Sequence, residues 1–322
     1  MKVIYDPRHV FFQPKNIFEN SKIKVNPDNP NKIESIVGLL KKDLRFDFIK
    51  PMDFPRSYLY LAHDQEYILW LKTLSKKLKT EEEYFPKVFG YDKIYDTQTP
   101  ITNNTFEMAW ISAKCALTGA DYIIKTANDA YCLTRPSGIH AGLDNGGGKC
   151  YLNNGAIAAK YIQSKTNAYI AILNIGSFHA NGTQEIFYED NTTLTISIHS
   201  NPSDNFPYIS GYEWELGCNE GRGYNINFPL SKNNEAKDYI RVLEKAILEI
   251  KNFDPDFLII SLSTDMNEND ENSCFKLNSN DFKNIGNLIS KLEVPKLILQ
   301  ENGYNSNVNE ISIKSFFDGL II

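Results

Sequence analysis

The sequence predicts an α/β protein: a single domain over residues 1–322, built on a mainly parallel sheet with helices on both faces. Three observations carry this. From about residue 105 onward, segments with helical apolar spacing alternate with short β-branched or apolar runs, the pattern of strand–helix–strand units. Two of the runs, AYIAILNI (168–175) and DFLIISLS (256–263), are almost wholly apolar, as strands covered on both faces must be. No internal repeat, low-complexity linker or compositional break divides the 322 residues.

In chain order, helix-like pieces at 31–42 and 64–79 accompany a loop rich in aromatics, EYFPKVFGYDKIYD (83–96), in a first third that is less regular than the rest. TFEMAWISAKCALTGADYIIKT (105–126) has the apolar spacing of a helix, and DAYCLTR (129–135) reads as a short strand. GAIAAKYIQSK (155–165) is a helix leading into the strand 168–175, and TTLTISIH (192–199) alternates as a strand does. EAKDYIRVLEKAILEIKNF (235–253) is a long amphipathic helix before the strand 256–263. Residues 281–292 then read as a helix and PKLILQ (295–300) as a closing strand.

Open parallel sheets bind ligands beyond the carboxyl ends of their strands. The segments that follow these strands are RPSGIHAG (135–142), NIGSFHANG (174–182), HSNPSDNFP (199–207), STDMNENDEN (263–272) and ENGYN (301–305). They are expected to converge, bringing His140, His179, His199, Phe206, Asp265, Glu301 and Tyr304 towards one crevice. The second of them has the small residues of an active-site turn, yet after Asn174 it offers one histidine, no carboxylate and no thiol.

A hydrophobic fraction of 42% and a charged fraction of 23% are those of an ordinary soluble protein. A net charge of -6 and a pI near 5.5 count against a nucleic-acid surface. No apolar run has the length of a membrane span, and the start, MKVIYDPRHVFF, lacks the apolar core of a signal peptide, so a cytoplasmic location is expected. Cys115, Cys132, Cys150, Cys218 and Cys274 are widely spaced without a CxxC, which favours reduced thiols over a cysteine zinc site.

The strand-end segments resemble motifs of the histone deacetylase superfamily, in order. RPSGIHA resembles RPPGHHA, GGKCYLNNGAIAA (147–159) resembles GGYCFFNNAAIAA, and ILNIGSFHANGTQEIFY (172–188) resembles ILDVDFHHGNGTQ-IFY. FPYISGYEWELGCNEGRGYNINFPL (206–230), SLSTDMNEND (261–270) and ENGY (301–304) match further motifs. The opening MKVIYDPRH and the loop 83–96 point to the acetylpolyamine amidohydrolase branch. The resemblance implies a parallel, arginase-like α/β fold and zinc-assisted amide hydrolysis. In that chemistry an Asp, a His and a second Asp hold zinc, and the metal lowers the pKa of its water. Tandem histidines move protons and a tyrosine hydroxyl stabilises the oxyanion.

By the same resemblance, the departures fall on functional positions. The first zinc-ligand Asp corresponds to Gly176 and the zinc-ligand His to Phe178, leaving Asp265 as the only retained ligand position. The first of the tandem histidines is Ile139, and the acid that orients it is Asn174. His140, its partner position Asn181, and Tyr304 remain as the catalytic remnant. An aromatic lining the acyl channel is Lys149, facing the retained Phe206, and the Lys149 ammonium is expected within direct or water-mediated reach of Asp265. The acid that receives a cationic amine aligns loosely with Gln98. One carboxylate does not hold zinc against water, so no zinc is expected, while a potassium ion near Asn174 and Ser197 stays open.

Plainer readings exist for each residue. His140, between Gly138 and Gly142, is either a crevice residue or a packed histidine, and His179 reads as structural. Asp265 is otherwise a turn aspartate and Tyr304 a turn tyrosine. Ile139 and Phe178 would fill the vacated metal cavity. Ile139, Lys149, Phe178, Phe206 and Asp265 are the expected lining of a ligand pocket. Three function classes follow: a non-catalytic binder of a small molecule or acetylated amine, a deacetylase with atypical metal ligation, and a scaffold. A homodimer is expected through Tyr84, Phe85, Phe89, Tyr91 and Tyr95, too many aromatics for an uncovered loop.

Overall fold

The computed structural model describes residues 1–19, 21–86 and 93–321. Among these, the chain begins with strand β1 (Lys2–Ile4), a hairpin of β2 (Asn16–Glu19) and β3 (Lys22–Val25), helix α1 (Asn31–Leu40), β4 (Asp47–Ile49) and α2 (Gln65–Lys77). Next come α3 (Thr105–Thr126), β5 (Ala130–Cys132), α4 (Asn154–Thr166), β6 (Ile170–Ile175), α5 (Asn181–Phe187), β7 (Thr193–Ser200) and β8 (Asn225–Leu230). The last third holds β9 (Asn234–Glu235), α6 (Ala236–Phe253), β10 (Phe257–Leu262), β11 (Phe275–Lys276), α7 (Ser279–Ser290), β12 (Lys296–Gln300) and α8 (Ser306–Leu320).

Eight of the strands form one sheet in the order β4-β1-β5-β12-β10-β6-β7-β8, with every pairing parallel. All eight carboxyl ends therefore lie on one rim. Side chains alternate between two cores, as the pleat requires. Ile172, Ile259 and Leu297, side by side in register, pack on the face covered by α2, α3 and α4. Leu173, Ile260 and Ile298 point to the face covered by α1, α6, α7 and α8. Helix α3 is buried round most of its circumference, whereas α6 buries only a stripe of Tyr239, Leu243, Ala246, Ile247 and Ile250. Helices α7 and α8 touch backbone to backbone: a Cβ on Gly286 would lie 2.1 Å from the Phe316 carbonyl oxygen, and one on Gly319 2.1 Å from that of Lys283.

The helices and strands expected from residue 105 to 300 are all present within two residues of the expected ends, except that the strand read at 129–135 is cut to β5. The short elements β2, β3, α5, β9 and β11 were not read from the sequence, nor were β1, β4, β8 and α8. β1 and β4 are three residues each, too short to show a period. Pro229 argues against a strand at 225–230, but β8 is the sheet edge, where a missing N–H is tolerated. Helix α8 buries Asn309 and Ser312 among its apolar residues, which hides its period. Of the loop aromatics, Phe89 and Tyr91 lie outside the described residues. Tyr84 packs against its own core, and Tyr95 turns inward to stack on Phe206 at 6.1 Å. Among the described residues no helix is long and apolar enough to cross a membrane.

Candidate functional site

The loops after β5, β6, β7, β10 and β12 meet on the carboxyl rim around a cavity of about 400 Å³. His140, Lys149, Phe178, Phe206, Tyr208 and Tyr304 form its principal walls. The His140 ring meets Phe206 edge-on at 5.0 Å and Phe178 at 6.3 Å, and the two phenylalanines are 6.5 Å apart. His140, from the β5 loop, is 2% exposed and its Nδ1 lies 2.6 Å from Asn181 Oδ1, at the start of α5. The Asn181 amide donates to the Tyr95 hydroxyl (3.1 Å), which reaches the His140 carbonyl at 3.2 Å. An amide oxygen accepts only from a protonated Nδ1, so neutral His140 carries its proton there. Burial pushes its pKa down to about 4, with the Asn181 bond opposing and Lys149 assisting. His140 is a neutral imidazole in the wall.

Tyr304 donates from its hydroxyl to Asn302 Oδ1 (3.2 Å), and its backbone N–H donates to Asp270 Oδ2 (3.1 Å). Burial and the nearby carboxylates raise the phenol's pKa well above the ordinary tyrosine value, so it stays protonated. Two ammonium groups face its ring, Lys32 Nζ at 5.0 Å and Lys149 Nζ at 5.5 Å from the centroid. Lys149 has a left-handed backbone (φ 64°), a conformation that costs a non-glycine residue about 1–2 kcal/mol. Its N–H is anchored on Thr99 Oγ1 at 2.8 Å.

Asp265 and Ile139 are not on the cavity wall, contrary to expectation. Both are buried behind it, at 0% and 2% exposure. The Ile139 carbonyl accepts from the N–H groups of Gly182 and Thr183 and so holds the start of α5. Asp265 Oδ1 accepts from the Ser177 N–H (2.9 Å), the Ser177 hydroxyl donates to the Asp265 carbonyl (2.8 Å), and Oδ2 has no partner. Burial, then Asp270, pushes its carboxyl up to about 7. A Cβ at Gly176 would stand 3.7 Å from Asp265 Oδ1, so these strand ends do come together. Lys149 does not pair with Asp265: its ammonium donates to Gln98 Oε1 at 3.4 Å. Lys32 is the cation that acts on Asp265. Asn174 donates to the Phe178 carbonyl and to Ser197 Oγ, both at 3.0 Å. His179 is buried beside His199, ring centroids 4.6 Å apart, away from the cavity wall.

Sequence reasoning missed Glu19, Asp96, Asn205, Asn302, Cys274 and Lys232 on the wall, and Lys32 behind it. Lys32 had a signal: it shares the buried face of α1 with Ile33, Ile36, Val37 and Leu40, where a lysine is out of place. Among the described residues no group of three or more His, Cys, Asp or Glu side chains is placed to hold a metal ion.

Residues 26–320 match the model of the histone deacetylase domain. The chain belongs to the histone deacetylase family. It is 30% identical to an acetylpolyamine amidohydrolase of Burkholderia pseudomallei, over 99% of this chain and 98% of the relative. It is also 30% identical to acetylpolyamine amidohydrolase 1 of Pseudomonas aeruginosa, with 99% of each covered. The crystal structure of an acetylpolyamine aminohydrolase from Burkholderia pseudomallei superposes with a TM-score of 0.94 at 29% identity, covering 99% of this chain and 98% of that one. The histone deacetylase family fold, with its one parallel sheet, is thus the fold of this chain.

Proposed function

We propose that this member of the histone deacetylase family binds a small ligand in its strand-end pocket without a catalytic zinc, and does not hydrolyse acetylated amines as its named relatives do. The carrying observation is the end of β6. Zinc is the metal that the family resemblance implies, and the three positions it would use hold Gly176, Phe178 and Asp265. Glycine and phenylalanine side chains bring no donor atom, and Asp265 sits off the cavity wall with Oδ2 unpartnered. This residue set does not fit a three-ligand zinc site. The acetyl-cleaving chemistry lacks its water activator, and Ile139 cannot carry a proton in place of a histidine.

What the chain keeps is a shaped cavity with aromatic walls, a neutral imidazole and fixed amides, the make-up of a small-molecule site. Elemental analysis of the purified protein tests the reading, together with acetyl release from acetyl-lysine and an acetylpolyamine. The expected result is zinc well below one equivalent and no turnover above background. One equivalent of zinc with turnover typical of the relatives would instead establish a deacetylase with atypical ligation. We further propose a homodimer involving the 83–96 segment, and sedimentation as a monomer at micromolar concentration would refute it.

A further inference from the structure

The charges around the pocket are unequally free. Asp96 is turned into the protein: its carboxylate accepts from the backbone N–H groups of Gly148 and Gln98 and from the Thr99 hydroxyl. Glu19 is ion-paired with Lys24 and accepts from Gln98 Nε2 at 3.1 Å. Glu271 and Lys232 are exposed at the rim, where water and salt screen them. Lys149 differs from all of these. It is half-buried, its backbone is fixed, and its ammonium makes one long hydrogen bond, to Gln98 Oε1 at 3.4 Å. Among the described residues no carboxylate lies within ion-pair distance of it. An ammonium has three donors. Gln98 cannot turn away, because its other end is held by Glu19.

We infer that the pocket takes a small organic monoanion, an alkyl or aryl carboxylate, whose charged end meets the Lys149 ammonium while its apolar body lies against Phe178, Phe206 and Tyr208. This deepens the metal-free reading above and rests on it. Two lysines and no arginine line the cavity. Lys232 is exposed at the rim and Lys149 alone is half-buried, so one ammonium is set in the wall, which suits a single negative charge rather than a phosphate dianion. The Asn205 and Asn302 side chains, also on the wall, supply further polar contacts for a carboxylate. A cationic amine in the same place would face Lys149 with Asp96 and Glu19 already engaged. The ligand's charge is therefore opposite to that of a polyamine.

The test uses the full chain as purified, with hexanoate, hexanamide and hexylammonium as probes at matched ionic strength, read by calorimetry and thermal shift. Hexanoate is expected to bind saturably and to raise the unfolding temperature. Hexanamide should bind at least tenfold more weakly and hexylammonium not at all. Lys149→Met should weaken hexanoate at least tenfold without changing the unliganded melting temperature by more than a few degrees, and Lys149→Arg should retain binding. Hexylammonium binding as tightly as hexanoate, an unaffected Lys149→Met, or no binding of any probe would each overturn the inference. Metal content and acetyl release are measured on the same preparation. Stoichiometric zinc with turnover would sink the metal-free reading itself, whereas amine preference in zinc-free protein would sink the anion inference alone.

Discussion

The end of β6 and the ground behind β5 and β12 are adjacent, both largely buried, and built on opposite principles. At the end of β6 the polar positions are neutral: Asn174, Gly176 and Phe178 carry no charge. Behind β5 and β12 the charges are dense. Arg135, 1% exposed, donates from Nε to Asp28 Oδ1 (3.0 Å) and from its other nitrogens to the carbonyls of His9 and Asp28. Lys32 donates to Ser137 Oγ at 3.1 Å, and Glu301 accepts the Gly138 N–H at 2.7 Å. Burial pushes the Asp28 carboxyl up, but Arg135 and Lys32 outweigh it and hold it below the usual range. Glu301 and Asp265, on each of which Lys32 acts as a neighbouring cation, are both held near 7. The buried carboxylates here are thus either paired with a fixed cation, as Asp28 is, or pushed up towards neutrality, as Glu301 and Asp265 are.

The comparison breaks most severely at Arg135. Replacing one partner of a buried ion pair strands the other charge, so Arg135→Ala should cost about 3–5 kcal/mol in denaturant unfolding. Phe178→Ala, at a half-buried ring in the neutral region, should cost clearly less than the roughly 3–5 kcal/mol of a fully buried one. Equal losses at the two sites would mean that the charged shell holds nothing together.

Glu301 gives the next largest effect. Burial raises its pKa to about 7 from an ordinary 4.5, against the opposing Gly138 N–H and Lys32. The folded state therefore binds more protons than the unfolded one between those values. Stability falls as pH rises from about 4.5 to about 7 and then levels, a loss on the order of 3 kcal/mol. Glu301→Gln keeps the acceptor for Gly138 and removes the titration. Asp265, also held near 7, keeps its own share of the dependence. The unfolding free energy of the variant should therefore change by roughly half as much as that of wild type between pH 5 and 8, and an unchanged slope would assign the dependence elsewhere.

These two regions were not equally legible in the sequence. The β6 end could be read because a motif fixes the position of every residue in it, so that Gly176 and Phe178 stand out by what they lack. The placement of Asp265 behind the wall could not be read, because it rests on the Ser177 N–H that its carboxylate accepts and the Ser177 hydroxyl that its carbonyl accepts. Lys149 lines the cavity, but its ammonium meets Gln98 and not Asp265: the motif locates its backbone, whereas the left-handed turn at Lys149 and the hydrogen bond to Gln98 are set by the segment 96–99, which matches no motif. The charged shell was invisible as a unit, since Asp28, Lys32, Arg135 and Glu301 are brought together only by the sheet order. The parallel core was legible where strands are long, and was lost at β1, β4 and β8, where length or edge position removes the period.

Restoring donors to the β6 end should be the third largest effect. Gly176→Asp with Phe178→His adds a carboxylate and an imidazole next to Asp265. The new Cβ at 176 would press on the Ser263 side chain, 3.0–3.1 Å away, and the two carboxylates would repel. The double variant should therefore be less stable than wild type without metal. Zinc at a hundred times its dissociation constant should return about 2.7 kcal/mol, an effect that wild type should not show. Acetyl release should stay poor until Ile139→His, Asn174→Asp and Lys149→Tyr are added, because proton transfer alone is worth roughly 10²–10⁴-fold. Zinc that stabilises wild type as strongly as the double variant would show that the β6 end is not where metal binding was lost.

The smallest effect concerns the bond that links the two regions, from His140 in the loop after β5 to Asn181 at the start of α5. Asn181→Ala removes the acceptor for His140 Nδ1 and a donor to the Tyr95 hydroxyl. Leaving a buried ring N–H unpaired costs about 1–3 kcal/mol, and the low end is expected because Tyr95 is at hand to take up part of the loss. The sharper readout is protonation. The Asn181 bond raises the His140 pKa, so its removal should push the value below the present 4. A histidine whose folded pKa lies below its unfolded 6.5 contributes stability above pH 6.5 that is lost as pH falls towards 4. The variant should lose more stability than wild type across that interval, and its His140 ring resonances should remain those of neutral imidazole at pH 5. A His140 that titrates near 6.5 in wild type would place it in open water rather than in a closed wall. The pocket would then be a solvated cleft, and the neutrality of the β6 end would no longer decide what enters it.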